Sequence, residues 1–142
     1  RFLGEISPEQ VERIADLLAE GYSGTARFEV RVAGVGAFPN SHRPAVIWAG
    51  VGPLEGGLGR VQAVAEQAAC AIGLAPEKRP FHPHLTLARI KDPQQGKRLI
   101  PYLEREESFY GGAFAVSGVS LFSSTLRPQG PLYQCLREFA LT

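Results

Sequence analysis

The amino-acid sequence predicts an α+β protein of two similar lobes, each an antiparallel sheet backed by helices. The order helix–strand–strand occurs twice along the 142 residues, once after Phe2 and once after His84. Apolar residues alternate with polar ones in predicted strands and recur every three to four residues in predicted helices. With 44% of its residues apolar, a chain of this length can bury a core without disulfide or metal support. We therefore expect a single domain of two lobes over residues 1–142.

The first helix is predicted to begin at Pro8. Ser7 is a favourable N-cap, and Gln10 stands three residues later, the spacing of a capping box. Apolar residues at positions 11, 14, 17 and 18 form one helical face, and Gly21 ends the run. Before this helix, Arg1-Phe2-Leu3 is typical of the middle of a strand.

Two strands are expected after the first helix. Residues 25–35 alternate between apolar and charged side chains, which indicates a half-buried strand. The Pro- and Gly-rich segment Gly36–Pro44 is predicted to be a loop, and Ala45–Val51 is an apolar strand.

The second half of the chain is expected to hold two helices and three strands. The helices are Leu58–Ile72, closed by Gly73, and a segment from Asp92-Pro93 to about Glu107. The predicted strands are His84–Ile90, Phe114–Leu126 and Leu132–Leu141, the last two joined by the turn Pro128–Pro131.

Charge and cysteine content exclude some classes of protein. The formal net charge of +1 argues against a broad basic surface for nonspecific nucleic-acid binding. Cys70 and Cys135 are far apart and in no ligand-spaced motif, so neither a disulfide framework nor a zinc site is expected. A signal peptide and a membrane-spanning apolar run are both missing from the sequence, so we expect a cytoplasmic protein.

His84 and Thr86 are the candidate catalytic residues. Residues two apart in a strand point the same way, so this imidazole and this hydroxyl share one face while Leu85 and Leu87 are expected to face the core. Such a pair can transfer a proton and stabilise an oxyanion. By itself, His-x-Thr in a strand is more often a half-exposed polar face.

Three ordered segments give this motif a context. They are Arg1-Phe2-Leu3-Gly4-Glu5, Pro83-His84-Leu85-Thr86-Leu87-Ala88-Arg89, and Leu121-Phe122-Ser123-Ser124-Thr125-Leu126 followed by Gly130-Pro131-Leu132-Tyr133. Together they resemble the 2H phosphoesterase superfamily, and more narrowly the RNA 2′,3′-cyclic phosphodiesterases, also called 2′–5′ RNA ligases.

The resemblance implies a fold with two H-x-T-x motifs, one in each lobe, facing each other across an active cleft. His84–Leu87 corresponds to the second motif. The first would precede Arg1, and the sequence contains no Met, so we expect that an N-terminal strand and the first motif are missing from these residues.

The resemblance also implies residue roles. His84 would activate water, the absent histidine would protonate the 3′ oxygen, and Thr86 would donate a hydrogen bond to the phosphoryl oxygens. Arg89 matches a phosphate-contacting arginine, although strict alternation from His84 places it on the opposite face, so a bulge or the end of the strand must turn it. Phe2 matches an aromatic position that could stack on a base, with core packing as the alternative.

The resemblance implies an enzyme that uses neither metal nor cofactor, and we expect it to act as a monomer. Its partner would be RNA with a 2′,3′-cyclic phosphate end, for which products of tRNA processing are one source. A noncatalytic module that binds RNA ends or nucleotides is the alternative, and a branch acting on a small cyclic nucleotide is a third reading. Weaker candidates for substrate contact are His82, His42, Arg43, Arg127 and Tyr133.

Overall fold

The computed structural model describes the backbone of residues 1–142 and all side chains except that of Pro93. The chain forms two compact units. The first unit contains Arg1–Phe28, Gly59–Pro80 and Ala115–Thr142, and the second contains Glu29–Leu58 and Phe81–Phe114. The repeated helix–strand–strand order suggested that the two lobes are consecutive halves of the chain. The two units instead interleave along the sequence.

Three α-helices and six strands form the described units, and a short kinked π-helical segment, Leu54–Leu58, precedes the second helix. The helices are α1 (Pro8–Tyr22), α2 (Gly59–Ala71) and α3 (Pro93–Arg105), and the strands are β1 (Phe28–Phe38), β2 (Val46–Gly52), β3 (His84–Arg89), β4 (Tyr110–Val116), β5 (Gly118–Thr125) and β6 (Leu132–Ala140). No helix of the described chain is both long enough and apolar enough to cross a bilayer.

In the first unit, α1 and α2 pack with the two-stranded antiparallel sheet of β5 and β6. The predicted capping box begins α1, since the Gln10 amide donates to Ser7 Oγ at 3.3 Å and the Ser7 amide donates to Gln10 Oε1 at 3.0 Å. Buried residues from both helices and both strands form one core, comprising Ile14, Ala15, Leu18, Tyr22, Ala68, Ala69, Leu121, Phe139 and Leu141.

In the second unit, a four-stranded sheet in the order β3-β2-β1-β4 packs against α3. The pairs β1–β2 and β2–β3 are antiparallel. Ala37 and Ile47 on one face of the sheet form a buried cluster with Leu103 of α3. We call the opposite face, which carries Trp48, the Trp48 face. The predicted α+β class, with antiparallel strand pairs backed by helices, is confirmed.

Two boundaries differ from the prediction because cross-strand pairing decided them. The predicted loop from Gly36 begins only after Phe38, since Gly36–Phe38 pair with Val46–Trp48 and extend β1. The single predicted strand Phe114–Leu126 is divided at Ser117 into β4 and β5, which belong to different sheets.

The strand predicted at Arg1–Leu3 is wrong. These residues form no strand, and the Arg1 side chain anchors them instead. Its guanidinium lies 3.1 Å from a carboxylate oxygen of Glu66 and 3.3 Å from one of Glu77, and it donates to the Ala75 carbonyl at 2.6 Å.

Candidate active site

Strand β3 presents His84 and Thr86 on the Trp48 face, as the alternation predicted. His84 pairs with Gly50 and Thr86 pairs with Trp48 across the β2–β3 register. Paired residues in an antiparallel sheet point to the same side, so the imidazole and the hydroxyl share a face with the indole. Both His84 and Thr86 are exposed.

A register shift brings Arg89 onto this same face. Ile47 and Trp48 are consecutive in β2, but Leu87 separates their partners in β3, so β3 has one extra residue at this point. The pairs on either side of it are Thr86 with Trp48, Ala88 with Ile47, and Arg89 with Val46. Since Val46 and Trp48 are two apart in β2, Arg89 lies on the face of Thr86 despite the odd spacing. This is the kind of bulge that a phosphate-contacting Arg89 requires.

The two leucines of the motif do not occupy the core. Leu85 lies on the face of Ile47 and Ala49 but is exposed, and Leu87 at the bulge is exposed as well. Leu85 therefore points to the predicted face, but neither leucine is buried, because β3 is at the edge of the described sheet and the α3 cluster covers residues of β1 and β2.

The imidazole of His84 is oriented by its own strand. Its Nδ1 lies 2.7 Å from the carbonyl oxygen of His82. A carbonyl oxygen only accepts hydrogen bonds, so the neutral ring carries its proton on Nδ1. This tautomer leaves the lone pair of Nε2 free to accept a proton.

Aromatic rings surround this imidazole within the second unit. The His84 ring lies 5.0 Å from the Phe38 ring in an edge-on arrangement, and the His82 ring lies 4.6 Å from that of Trp48. Phe38 also contacts Trp48 and His82, each with 5.4 Å between ring centroids. We call Phe38, Trp48, His82 and His84 the aromatic cluster.

Sequence reasoning missed Phe38 and Trp48. The sequence pattern predicts a loop at Phe38, and it gives no role to Trp48, an apolar residue of a predicted strand. The alternation of β2 places Trp48 and Gly50 on one face, but only the cross-strand register associates that face with His84. His82, one of the weaker candidates for substrate contact, belongs to the cluster.

Phe2 belongs to the first unit, whereas His84 belongs to the second. Its side chain is 83% exposed, so the alternative of core packing is wrong. The neighbouring Arg1 anchors the segment through Glu66 and Glu77. The stacking role of Phe2 stays a prediction.

The remaining candidates have no role in the aromatic cluster. His42 and Arg43 are exposed in the β1–β2 loop, where Asn40 Oδ1 accepts from both of their amides at 3.1 Å. Arg127 and Tyr133 are exposed in the first unit. Within the described side chains, no group of three His, Cys, Asp or Glu residues could hold a metal ion.

Comparison with known proteins places this geometry in a family. The model of the 2′-5′ RNA ligase superfamily matches residues 2–127. The chain is 39% identical over 138 residues to an RNA 2′,3′-cyclic phosphodiesterase of Aeropyrum pernix, covering 97% of this chain and 77% of that protein. It is 36% identical over 138 residues to one of Archaeoglobus fulgidus, covering 97% and 75%.

Solved structures agree with this match. The crystal structure of TT0787 from Thermus thermophilus superimposes with a TM-score of 0.75 at 32% identity, covering 99% of this chain and 74% of that one. The E. coli LigT structure complexed with 3′-AMP gives a TM-score of 0.71 at 25% identity, covering 100% and 74%. The chain therefore belongs to the 2′-5′ RNA ligase superfamily.

Proposed function

We propose that the protein is an enzyme that hydrolyses 2′,3′-cyclic phosphate ends of RNA to 2′-phosphate ends. The observation that carries this proposal is the shared face of His84, Thr86 and Arg89. It combines a base, a hydroxyl donor and a cation, which are three of the groups that phosphodiester hydrolysis uses. Relatives named RNA 2′,3′-cyclic phosphodiesterases support the substrate class.

His84 acts as the general base in this scheme. Its Nδ1–H is bound to the His82 carbonyl, so Nε2 accepts a proton from water. The water oxygen forms a bond to phosphorus while the bond from phosphorus to the 3′ oxygen breaks. A general acid protonates the 3′ oxygen, and the phosphate stays on the 2′ oxygen. The resemblance assigns this acid to the histidine of the first H-x-T-x motif.

Thr86 and Arg89 stabilise the charge that develops on the phosphoryl oxygens. The Thr86 hydroxyl donates to one oxygen, and the planar guanidinium of Arg89 can donate two parallel hydrogen bonds. If a ribose 5′-hydroxyl attacks in place of water, the same displacement forms a 2′–5′ phosphodiester. Ligation is therefore a related activity of the same site.

The test is an assay of the full-length protein on an oligonucleotide that ends in a 2′,3′-cyclic phosphate, in the presence of EDTA. We expect a 2′-phosphate product and a loss of at least about a hundredfold in kcat for His84→Ala. Thr86→Val should also lower kcat, whereas Thr142→Val, the same change on an exposed residue of the first unit, should not.

Three outcomes would overturn parts of this proposal. A 3′-phosphate product would contradict the assigned leaving group, and full activity of His84→Ala would remove the base from its role. RNA binding without any turnover by the full-length protein would instead support the noncatalytic binding module. We further expect the enzyme to act as a monomer in the cytoplasm.

A further inference from the structure

An open groove runs along β1 and β2 in the second unit, and its volume is about 660 Å³. Glu29, Arg31 and Ala33 of β1 line one side of it, and the end of β2 lines the other. We call it the Arg31 groove. Neither of its two charged side chains takes part in the reaction proposed above, so that reaction leaves the groove without a role.

The strand register places the Arg31 groove on the Trp48 face. Arg31 pairs with Gly52, which is four residues from Trp48 in β2, so Arg31 and Trp48 point to the same side of the sheet. Glu29 is two residues from Arg31 and shares its side, while Val30 between them points the other way and is buried. The Glu29 and Arg31 side chains therefore lie on the face of the candidate site.

Bare backbone of β2 lies between this charged pair and His84. Gly50 pairs with His84, and on its β1 side an added Cβ would lie 2.6 Å from the Ala33 carbonyl oxygen. A side chain at position 50 would meet the backbone of β1, and glycine avoids this contact. The two β2 positions that follow Trp48 on this face are both glycines, so no β2 side chain rises between His84 and Arg31.

The spacing of the strands matches the length of one nucleotide. Strand β2 separates His84 from Arg31, and their partners in β2 are two residues apart. Neighbouring strands lie about 4.8 Å apart and same-face residues about 6.8 Å apart, so the two Cα atoms are separated by roughly 12 Å. A nucleotide whose phosphate contacts His84 can therefore extend its base over Gly50 towards Arg31.

Stability does not explain the charged pair. The Arg31 Nε atom lies 3.9 Å from Glu29 Oε1, and the two side chains are 67% and 65% exposed. An exposed ion pair at this separation contributes little to the free energy of folding. The two side chains can therefore exchange their mutual contact for contacts with a ligand at little cost.

Guanine is the base whose edge matches a neighbouring arginine and glutamate. Its N7 and O6 atoms accept two parallel hydrogen bonds from a guanidinium. Its N1–H and N2–H groups follow O6 around the ring and donate to the two oxygens of a carboxylate. No other RNA base presents two neighbouring acceptors followed by two neighbouring donors, so only guanine satisfies both side chains in full.

We propose that Glu29 and Arg31 form a base subsite that selects guanosine as the nucleoside carrying the cyclic phosphate. This inference rests on the proposed function and goes beyond it by naming the base that the site prefers. With the phosphate at His84, the base lies over Gly50, Arg31 donates to N7 and O6, and Glu29 accepts from N1–H and N2–H. These contacts change which end is bound and leave the chemical step as described.

The first experiment measures binding without chemistry. The full-length protein is titrated in a calorimeter with guanosine 2′-phosphate and with adenosine 2′-phosphate, which carries a purine of equal size. The guanosine compound should bind about tenfold more tightly. Arg31→Ala and Glu29→Gln should each bring the two affinities together. The matched control Arg105→Ala, which removes the arginine of the exposed Arg105–Glu106 pair on α3, should keep the tenfold ratio.

The second experiment measures turnover of two oligonucleotides that differ only in whether guanosine or adenosine carries the 2′,3′-cyclic phosphate. The guanosine end should give a kcat/KM about tenfold higher. The difference should lie in KM, because contacts to the base are the same before and during the chemical step. Arg31→Ala should reduce this ratio towards one.

Equal affinity of the unmodified protein for the two 2′-phosphates would overturn the subsite. So would a guanosine preference that survives Arg31→Ala, or an equal loss on both substrates in that variant. Absence of turnover of both oligonucleotides by the unmodified protein, with the guanosine preference in binding intact, would instead overturn the proposed function and leave the subsite in place.

Discussion

Gly36 of β1 lies directly opposite Trp48 of β2, and the indole occupies the space that a side chain at position 36 would fill. An added Cβ at Gly36 would overlap the six-membered ring of Trp48. The indole Nε1 is buried and makes no hydrogen bond within the described chain. Contacts between rings therefore position Trp48, and through Phe38 they extend to His84.

We expect Gly36→Ala to displace the indole and disturb the aromatic cluster. Displacement by about 1 Å near a catalytic group lowers turnover by up to about a hundredfold. Because Trp48 is the only tryptophan, its fluorescence emission reports the displacement directly. Gly52→Ala is the matched control, since the nearest atom to an added Cβ there is 3.9 Å away. Unchanged emission in Gly36→Ala would contradict the packing described.

His82→Ala should lower kcat far less than His84→Ala does. The group that orients His84 is the carbonyl oxygen of His82, which an alanine retains, and only the ring contacts of His82 are lost. Steady-state kinetics of the two variants side by side would check this. Equal losses of kcat would show that the His82 imidazole takes part in the chemistry.

Arg89→Ala should lower kcat/KM for a cyclic phosphate substrate by roughly ten- to a hundredfold. A hydrogen bond to a charged group contributes about 1.5–3 kcal/mol. Arg89→Lys should restore part of this loss, because an ammonium keeps the charge but cannot make two parallel bonds. Arg13→Ala, an exposed arginine of α1, serves as the control. Wild-type kinetics for Arg89→Ala would contradict its placement against the phosphate.

Ser7→Ala should destabilise the protein by about 1 kcal/mol, because the Ser7 side chain caps the amide of Gln10 at the start of α1. Urea unfolding monitored by circular dichroism would measure the loss. Ser120→Ala, on an exposed position of β5, should leave the free energy of unfolding within about 0.5 kcal/mol of the wild type. Similar values for the two variants would show that the cap does not stabilise α1.

Tyr22 should make stability fall at alkaline pH. Burial raises the pKa of Tyr22 from 10.0 to about 12. As the pH rises through this interval, the unfolded chain releases the phenolic proton before the folded one does. The stability from the protonated phenol is thus complete below pH 10 and is lost towards pH 12. Urea unfolding at increasing pH measures this loss of stability. The Tyr22→Phe variant should lack this part of the loss, whereas the control Tyr110→Phe should retain it.

Local pattern predicted most of the elements, because helix caps and side-chain alternation depend on a few consecutive residues. The boundaries that failed depended on distant partners. Phe38 belongs to β1 because Val46 pairs with it, and Ser117 separates two strands because they join different sheets. A single sequence offers no direct signal for such pairings.

The candidate site divides in the same way. The sequence by itself determined that His84 and Thr86 share a face, since residues two apart in any strand do so. Only the tertiary structure decided that Arg89 lies on the same face. The bulge at Leu87 is defined by how β3 pairs with β2, and the sequence of β3 alone does not show it. The aromatic cluster around His84 likewise arises from three segments that meet only in the folded chain, so no local pattern could reveal it.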